Sequence, residues 1–174
     1  MKNRSPWVLL GLVMAGSVAL ATSTRHLRAD LTGFEEVPPV STTGSGHLRL
    51  VVFPDNNAIH YELSYSALES DATQAHIHFG QMGVNGGISA FLCSNLGNGP
   101  EGTQACPLHG GRVSGMITPP SVIGPAGQGI TSGQFAELLE ALRSDVTYVN
   151  VHSVQWPGGE IRGQIDSGRS GRRH

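Results

Sequence analysis

The stretch "QAHIHFG", Gln74 to Gly80, places His76 and His78 on either side of a single residue. In a strand that spacing carries both imidazoles to one face, because successive side chains alternate. Ala75, Ile77 and Phe79 form the apolar set, so the two histidines point away from the core. The same parity in "YVNVHS" assigns Val149 and Val151 to the core and turns Tyr148, Asn150 and His152 outward. In "GEIRGQI", Ile161 and Ile165 face in, while Glu160, Arg162 and Gln164 face out. If the strands bearing these histidines are neighbours, His76, His78 and His152 converge in one coordination sphere. Imidazoles so arranged suit copper, with zinc the other option, since two ligands are fixed on one strand and a third comes from beside it. His109 is the best-placed loop candidate for a fourth ligand. The competing reading is a solvated polar face, or histidines that hydrogen-bond adjacent strands, and the spacing leaves both open.

Other candidate chemistry fails on context. "GNGPEG" satisfies a nucleotide-binding glycine pattern, but no strand precedes it and no helix follows, so it reads as loop. Ser153 adjoins His152, yet neighbouring strand residues face opposite ways, and no nucleophile elbow occurs. Glu35 and Glu36 have no recognisable acid or base partner and read as turn or surface. His26 and His174 fall in expected tails, while His47 and His60 face outward as surface residues.

Several short elements must position the histidines. "HLRLVVF" and "NAIHYELSYSAL" alternate apolar and polar residues on either side of the turn signal "PDN". "TQAHIHFG", "ISAFLC", "GRVSGMIT", "TYVNVHS" and "GEIRGQI" add further strands. "TSGQFAELLEALRS" is the one credible helix, with Ser132 as its expected N-cap and Phe135, Leu138, Leu139 and Leu142 as its apolar stripe. Short strands, frequent turns and 24 glycines indicate an all-β fold, an antiparallel Greek-key sandwich or barrel with one short helix.

The first residues read as an export signal. Lys2 and Arg4 precede the apolar run "WVLLGLVMAGSVALA", which ends in small residues, so cleavage is expected after Ala21. Residues 22–30 are expected to form a flexible lead, 31–166 one domain, and 167–174 a basic disordered tail. Cys93 and Cys106, in an exported and therefore oxidising setting, are expected to form a disulfide. After cleavage nine arginines face 13 acidic residues and no lysine remains, which removes Schiff-base chemistry and gives no basic patch for nucleic acid. No segment beyond the signal is apolar enough to span a bilayer, and the expected destination is the periplasm or the medium.

Three blocks carry a family resemblance. "LTGFEEVPPV", "AHIHFGQMGVNGG" and "YVNVHSVQWPGGEIRGQI", in that order with a helix before the last, resemble the CHRD (chordin) domain from Leu31 to Asp166. The family takes its name from repeats in chordin, an extracellular antagonist of growth factors, and single-domain exported forms are widespread in bacteria. The resemblance implies a β-sandwich and an extracellular module, without one activity attached to the single-domain forms. A fainter similarity joins "GSGHLRLVVFPDNNAIHYELSYSAL", "AHIHFG" and "YVNVHS" to the copper/zinc superoxide dismutases. It implies an immunoglobulin-like or dismutase-like sandwich with His76, His78 and His152 as copper-type ligands. It also implies a loop pinned near the metal by Cys93 and Cys106, and Arg162 as an anion guide. The chain departs from that pattern: no histidine-rich zinc loop follows His78, no bridging histidine stands out, and no positive funnel is evident.

The sequence thus points to an exported CHRD domain that binds a copper-like ion through His76, His78 and His152. Asn150 and Glu160 would orient the imidazoles. Its work would be copper handling or redox chemistry, dismutase-like if the protein is an enzyme. The alternative is a non-catalytic extracellular binding or structural module without metal, in which Arg162 pairs with a carboxylate.

Overall fold

A computed structural model describes residues 24–53 and 57–168. Residues 1–23, which include the expected export signal, the "PDN" tip and residues 169–174 lie outside the described residues. The alternating apolar runs form eight antiparallel strands. These are β1 (Arg25–Thr32), β2 (Ser45–Phe53), β3 (Ala58–Ser66), β4 (Ala72–Phe79), β5 (Gly87–Ser94), β6 (Gly111–Ile117), β7 (Thr147–Ser153) and β8 (Ile161–Gln164). They join in the order β5-β4-β7-β8-β1-β2-β3-β6, a Greek-key arrangement curled into a nearly closed barrel. The expected all-β fold with one short helix is what forms.

Strand parity fills the barrel. Leu27, Ala29 and Leu31 of β1 meet Leu48, Leu50 and Val52 of β2, and Ile59, Tyr61 and Leu63 of β3 continue the layer. Ala75, Ile77, Val149, Val151 and Ile161 complete it from the other half. All five are fully buried, so a one-residue slip of β4 or β7 would exchange core for polar residues.

The seam between β5 and β6 is bridged by the cystine loop. Ser94 N–H donates to Gln104 O at 2.9 Å, and Gln104 Nε2 donates to Ser114 O at 2.8 Å. Tyr61 O–H on β3 reaches Leu92 O on β5 at 2.7 Å. The expected disulfide Cys93–Cys106 fastens the loop to β5, and Asn95 braces it by donating to Ala72 O and Cys106 O.

Two expectations at element ends are corrected. The segment taken as a flexible lead is mostly strand: β1 begins at Arg25, and its alternation of buried Leu27, Ala29 and Leu31 with exposed neighbours places it in the sheet. Helix α1 (Phe135–Arg143) buries the expected stripe, but Ser132 does not cap it. Gly133, at φ +84°, turns the chain between Ser132 and the helix, and Gln134 takes the cap position without a side-chain cap bond.

Candidate metal centre

Residues that point out of the barrel on β4, β7 and β8 stand in cross-strand rows. β4 pairs with β7 so that Gln74 faces His152, His76 faces Asn150 and His78 faces Tyr148. β7 pairs with β8 so that Asn150 faces Arg162 and Tyr148 faces Gln164. One row is therefore His76–Asn150–Arg162 and the next His78–Tyr148–Gln164, with His152 diagonal to His76. The expected neighbourhood of His76, His78 and His152 exists: one nitrogen from each lies within 4.8 Å of those of the other two.

Their surroundings differ from the solvated face that parity suggests. His76 is fully buried, and His78 and His152 are each 7 % exposed. They point away from the barrel core but lie under loops. β4 and β5 are also out of simple register between Ala75 and His76 and between Ile77 and His78. Such irregularities re-aim side chains, and Phe91 here packs edge-on against His76, centroids 4.4 Å apart.

Oxygens beside the rings constrain their tautomers. A carbonyl only accepts, so a nitrogen that bonds one carries the proton. His152 Nδ1–H donates to Pro157 O at 2.9 Å and so keeps its lone pair on Nε2. His78 faces an oxygen at each ring nitrogen, Gly86 O at 3.0 Å from Nδ1 and Asn150 Oδ1 at 3.0 Å from Nε2, and the neutral ring donates to one of the two. His76 Nδ1 lies 3.2 Å from His152 Nε2 and donates to it, while His76 Nε2 is buried without a hydrogen-bond partner. Burial holds all three rings neutral. The neighbouring histidines add to this at His76, pushed down to about 2, and at His78, pushed down to about 4, while His152 is lowered by burial itself. Neutral imidazoles are the form a metal ion needs.

Around them lies a supporting layer. The Tyr148 ring stacks on His78 at 4.7 Å and 5° between planes, and the Arg162 guanidinium sits 3.4 Å from the other side of Tyr148's centroid. Arg162 is 2 % exposed. Its Nη1 donates to Asn85 Oδ1 at 3.0 Å, and its Nη2 to Val84 O at 2.9 Å and Gln81 O at 3.4 Å. The guanidinium therefore holds the loop that carries Gly86 and is directed at protein, not at solvent. No carboxylate lies within ion-pair distance of it among the described residues, although Glu36 acts on it through space.

Asn150 touches His78 directly, with Oδ1 and Nε2 3.0 Å apart. Glu160 is buried but turned elsewhere: its Oε1 accepts from Thr42 Oγ1 at 2.7 Å and Glu69 N–H at 2.8 Å, and it bonds no histidine. His109 is exposed and pairs with Asp71 at 3.0 Å, apart from the three clustered rings. Glu36, expected as turn or surface, is buried beside Asn150. No periodic pattern marks it, because it lies in the irregular segment after β1. The one local hint is the glycine pair in "PGGE", whose second member makes room for it.

No helix among the described residues is long and apolar enough to cross a membrane. No curated protein and no solved structure matches the chain. A family match does cover the barrel, from Leu27 in β1 to Ile165 just beyond β8, and on that match of residues 27–165 the chain belongs to the CHRD domain family.

Proposed function

We propose that this protein is an exported CHRD domain that binds one copper ion through His76 Nδ1, His78 Nε2 and His152 Nε2, the His76 proton moving from Nδ1 to the unpartnered Nε2 when the ion binds. The observation that carries the reading is the convergence of three buried, neutral imidazoles, with His152 Nε2 left free by the bond from its Nδ1–H to Pro157 O. A tetrahedral ion with nitrogens at 2.0–2.1 Å sets them about 3.3 Å apart. The 3.2 Å between His76 Nδ1 and His152 Nε2 suits that spacing. The donors are all imidazole, with no thiolate or carboxylate among them, which favours copper or zinc over magnesium or calcium. Copper(II) heads the affinity order among the divalent first-row ions.

A bound copper supplies one-electron redox capacity. The chain's own residues supply its enclosure: the Gly80–Gly86 loop, tied by Arg162, and the turn at Pro157 cover the rings. Such burial supports copper holding more directly than turnover with a bulky substrate. Extracellular placement accords with the family, which is typically extracellular.

The second reading is a metal-free module in which the histidines lock β4 to β7. What favours it is that His78 and His152 already have hydrogen-bond partners at both ring nitrogens. Copper(II) titration of the mature chain, followed by calorimetry and EPR, separates the two. The metal reading requires about one equivalent bound and a nitrogen-rich spectrum that changes in His78→Ala. No binding, or an unchanged spectrum in that variant, supports the lock.

A further inference from the structure

The outer face of β1, β2 and β3, on the half of the barrel away from the histidines, also carries cross-strand rows. Arg28 faces Arg49, and Arg49 faces Glu62. On one side the next row is Asp30, His47 and Ser64, and on the other it is His26, Val51 and His60. Arg28 and Arg49 are both exposed. Arg28 exchanges backbone hydrogen bonds with Asp166, at 3.3 and 2.9 Å, so it meets Arg49 as a non-hydrogen-bonded pair. That is the closer of the two antiparallel pairings, with Cα atoms about 4.5 Å apart, and like charges placed so destabilise a sheet.

The carboxylates around them are engaged elsewhere. Asp30 Oδ1 lies 2.6 Å from His47 Nδ1, and Glu62 Oε2 accepts from Arg112 Nη1 at 3.2 Å. Asp166 Oδ1 accepts from Gly168 N–H at 2.6 Å. Among the described residues no carboxylate forms an ion pair with Arg28 or Arg49. The two guanidiniums also stand between two hollows. One, of about 340 Å³, runs over the charged and polar side chains of Asp30, His47, Glu62 and Ser64. The other, of about 570 Å³, is more apolar, with Leu27, Leu50 and Val51 beside His26. Its volume falls in the range of small-ligand sites, about 300–1,000 Å³.

We infer that Arg28 and Arg49 clasp the phosphate of a small phosphomonoester whose organic part lies in the larger hollow, against His26 and Val51. Each guanidinium is a planar fork that binds two oxygens at once. A tetrahedral oxyanion has three terminal oxygens and serves both forks, whereas a carboxylate has two and fills one. Charge separates phosphate from sulfate. A phosphomonoester carries about −1.5 to −2 at neutral pH and so matches two guanidiniums, while a sulfate ester carries a single charge. The bound dianion turns the repulsion between the arginines into attraction to a shared partner. This site is independent of the histidine cluster and needs no metal.

Phenyl phosphate is the probe, titrated into the mature chain near neutral pH. 1H–15N spectra read the arginine Nε–H groups and the amides of β1 and β2. The expected result is saturation at one site, with shifts confined to Arg28, Arg49 and the lining of the larger hollow. Phenyl sulfate and inorganic phosphate should each bind at least about fivefold more weakly, the first for want of charge and the second for want of an organic part. Arg28→Gln and Arg49→Gln should each weaken phenyl phosphate about tenfold, the loss of one bidentate charged contact. Arg112→Gln removes the same charge from the same face, but from a guanidinium already held by Glu62, and should change affinity less than about twofold. Equal losses in all three variants, or shifts that never saturate, overturn the clasp. Inorganic phosphate binding as tightly as phenyl phosphate overturns the organic part of the ligand. Retention on phosphatidic acid vesicles with no shift from phenyl phosphate overturns the small-ligand site and assigns the arginines to a membrane surface.

Discussion

His76 Nδ1 and His152 Nε2 lie 3.2 Å apart and form a direct side-chain link between β4 and β7 at the cluster. His152→Ala removes both this bond and the one to Pro157 O, leaving His76 Nδ1–H buried without an acceptor. An unsatisfied buried donor costs about 1–3 kcal/mol. The metal-free variant should therefore lose about that much stability in urea unfolding, and copper(II) binding should weaken by at least about tenfold. A variant with lowered stability and unchanged copper affinity would assign His152 to the lock alone.

Most of the architecture follows from local pattern. Ile77 between two histidines, and Val149 and Val151 around Asn150, set which way each strand faces, since the barrel interior accepts only the apolar set. Parity gives direction, not depth. It turns the histidines outward correctly but cannot show that the Gly80–Gly86 segment meets His78 and the Val154–Gly159 segment meets His152, because that cover comes from irregular chain with no period. Glu36 was read as turn or surface for the same reason, and the start of β1 as flexible lead, because its alternation follows closely on the expected export signal. Ser132 misled because a serine before an apolar stripe resembles a cap, while Gly133 moves the helix start beyond it.

Acid should weaken the metal-free fold through the histidines. Their folded values lie below the ordinary 6.5, with His78 at about 4. The stability they contribute is present above 6.5 and lost as pH falls toward 4, since the unfolded chain takes up protons first. Glu36 acts oppositely. It is raised from 4.5 to about 7, so its contribution is present below 4.5 and lost as pH rises through 7. With three histidines against one carboxyl, melting temperature should fall between pH 7 and pH 5. Glu36→Gln should gain stability relative to wild type as pH rises across 4.5–7. Thermal melts of both proteins over that window check the two signs.

The same depression of His78 predicts an acid-tolerant site. Exposed histidine sites lose metal below about 6.5, where the free imidazole protonates. Here copper(II) affinity should change little between pH 7 and pH 5, and a steep loss beginning near 6.5 would show that the rings are solvated. Competition titrations against a chelator, with its own protonation accounted for, measure the slope.

Arg162 supports the site through its loop. The guanidinium covers Tyr148, which stacks on His78, and its donors hold Val84 O and Asn85 Oδ1. Lysine keeps the charge but not the planar fork, so Arg162→Lys cannot serve both partners while covering the ring. Loss of a charged hydrogen bond and part of a desolvated cation–π contact should cost about 2–4 kcal/mol. The distinguishing readout is local. Amide hydrogens at Val84, Asn85 and Gly86 should exchange faster in the variant than those of β2 and β3, because the loop loses its tie while the far side of the barrel keeps its ladder. As Gly86 moves, its contact with His78 Nδ1 weakens, so copper(II) affinity should fall as well. Uniform acceleration of exchange across the barrel would instead mean that Arg162 supports the whole fold and not the site.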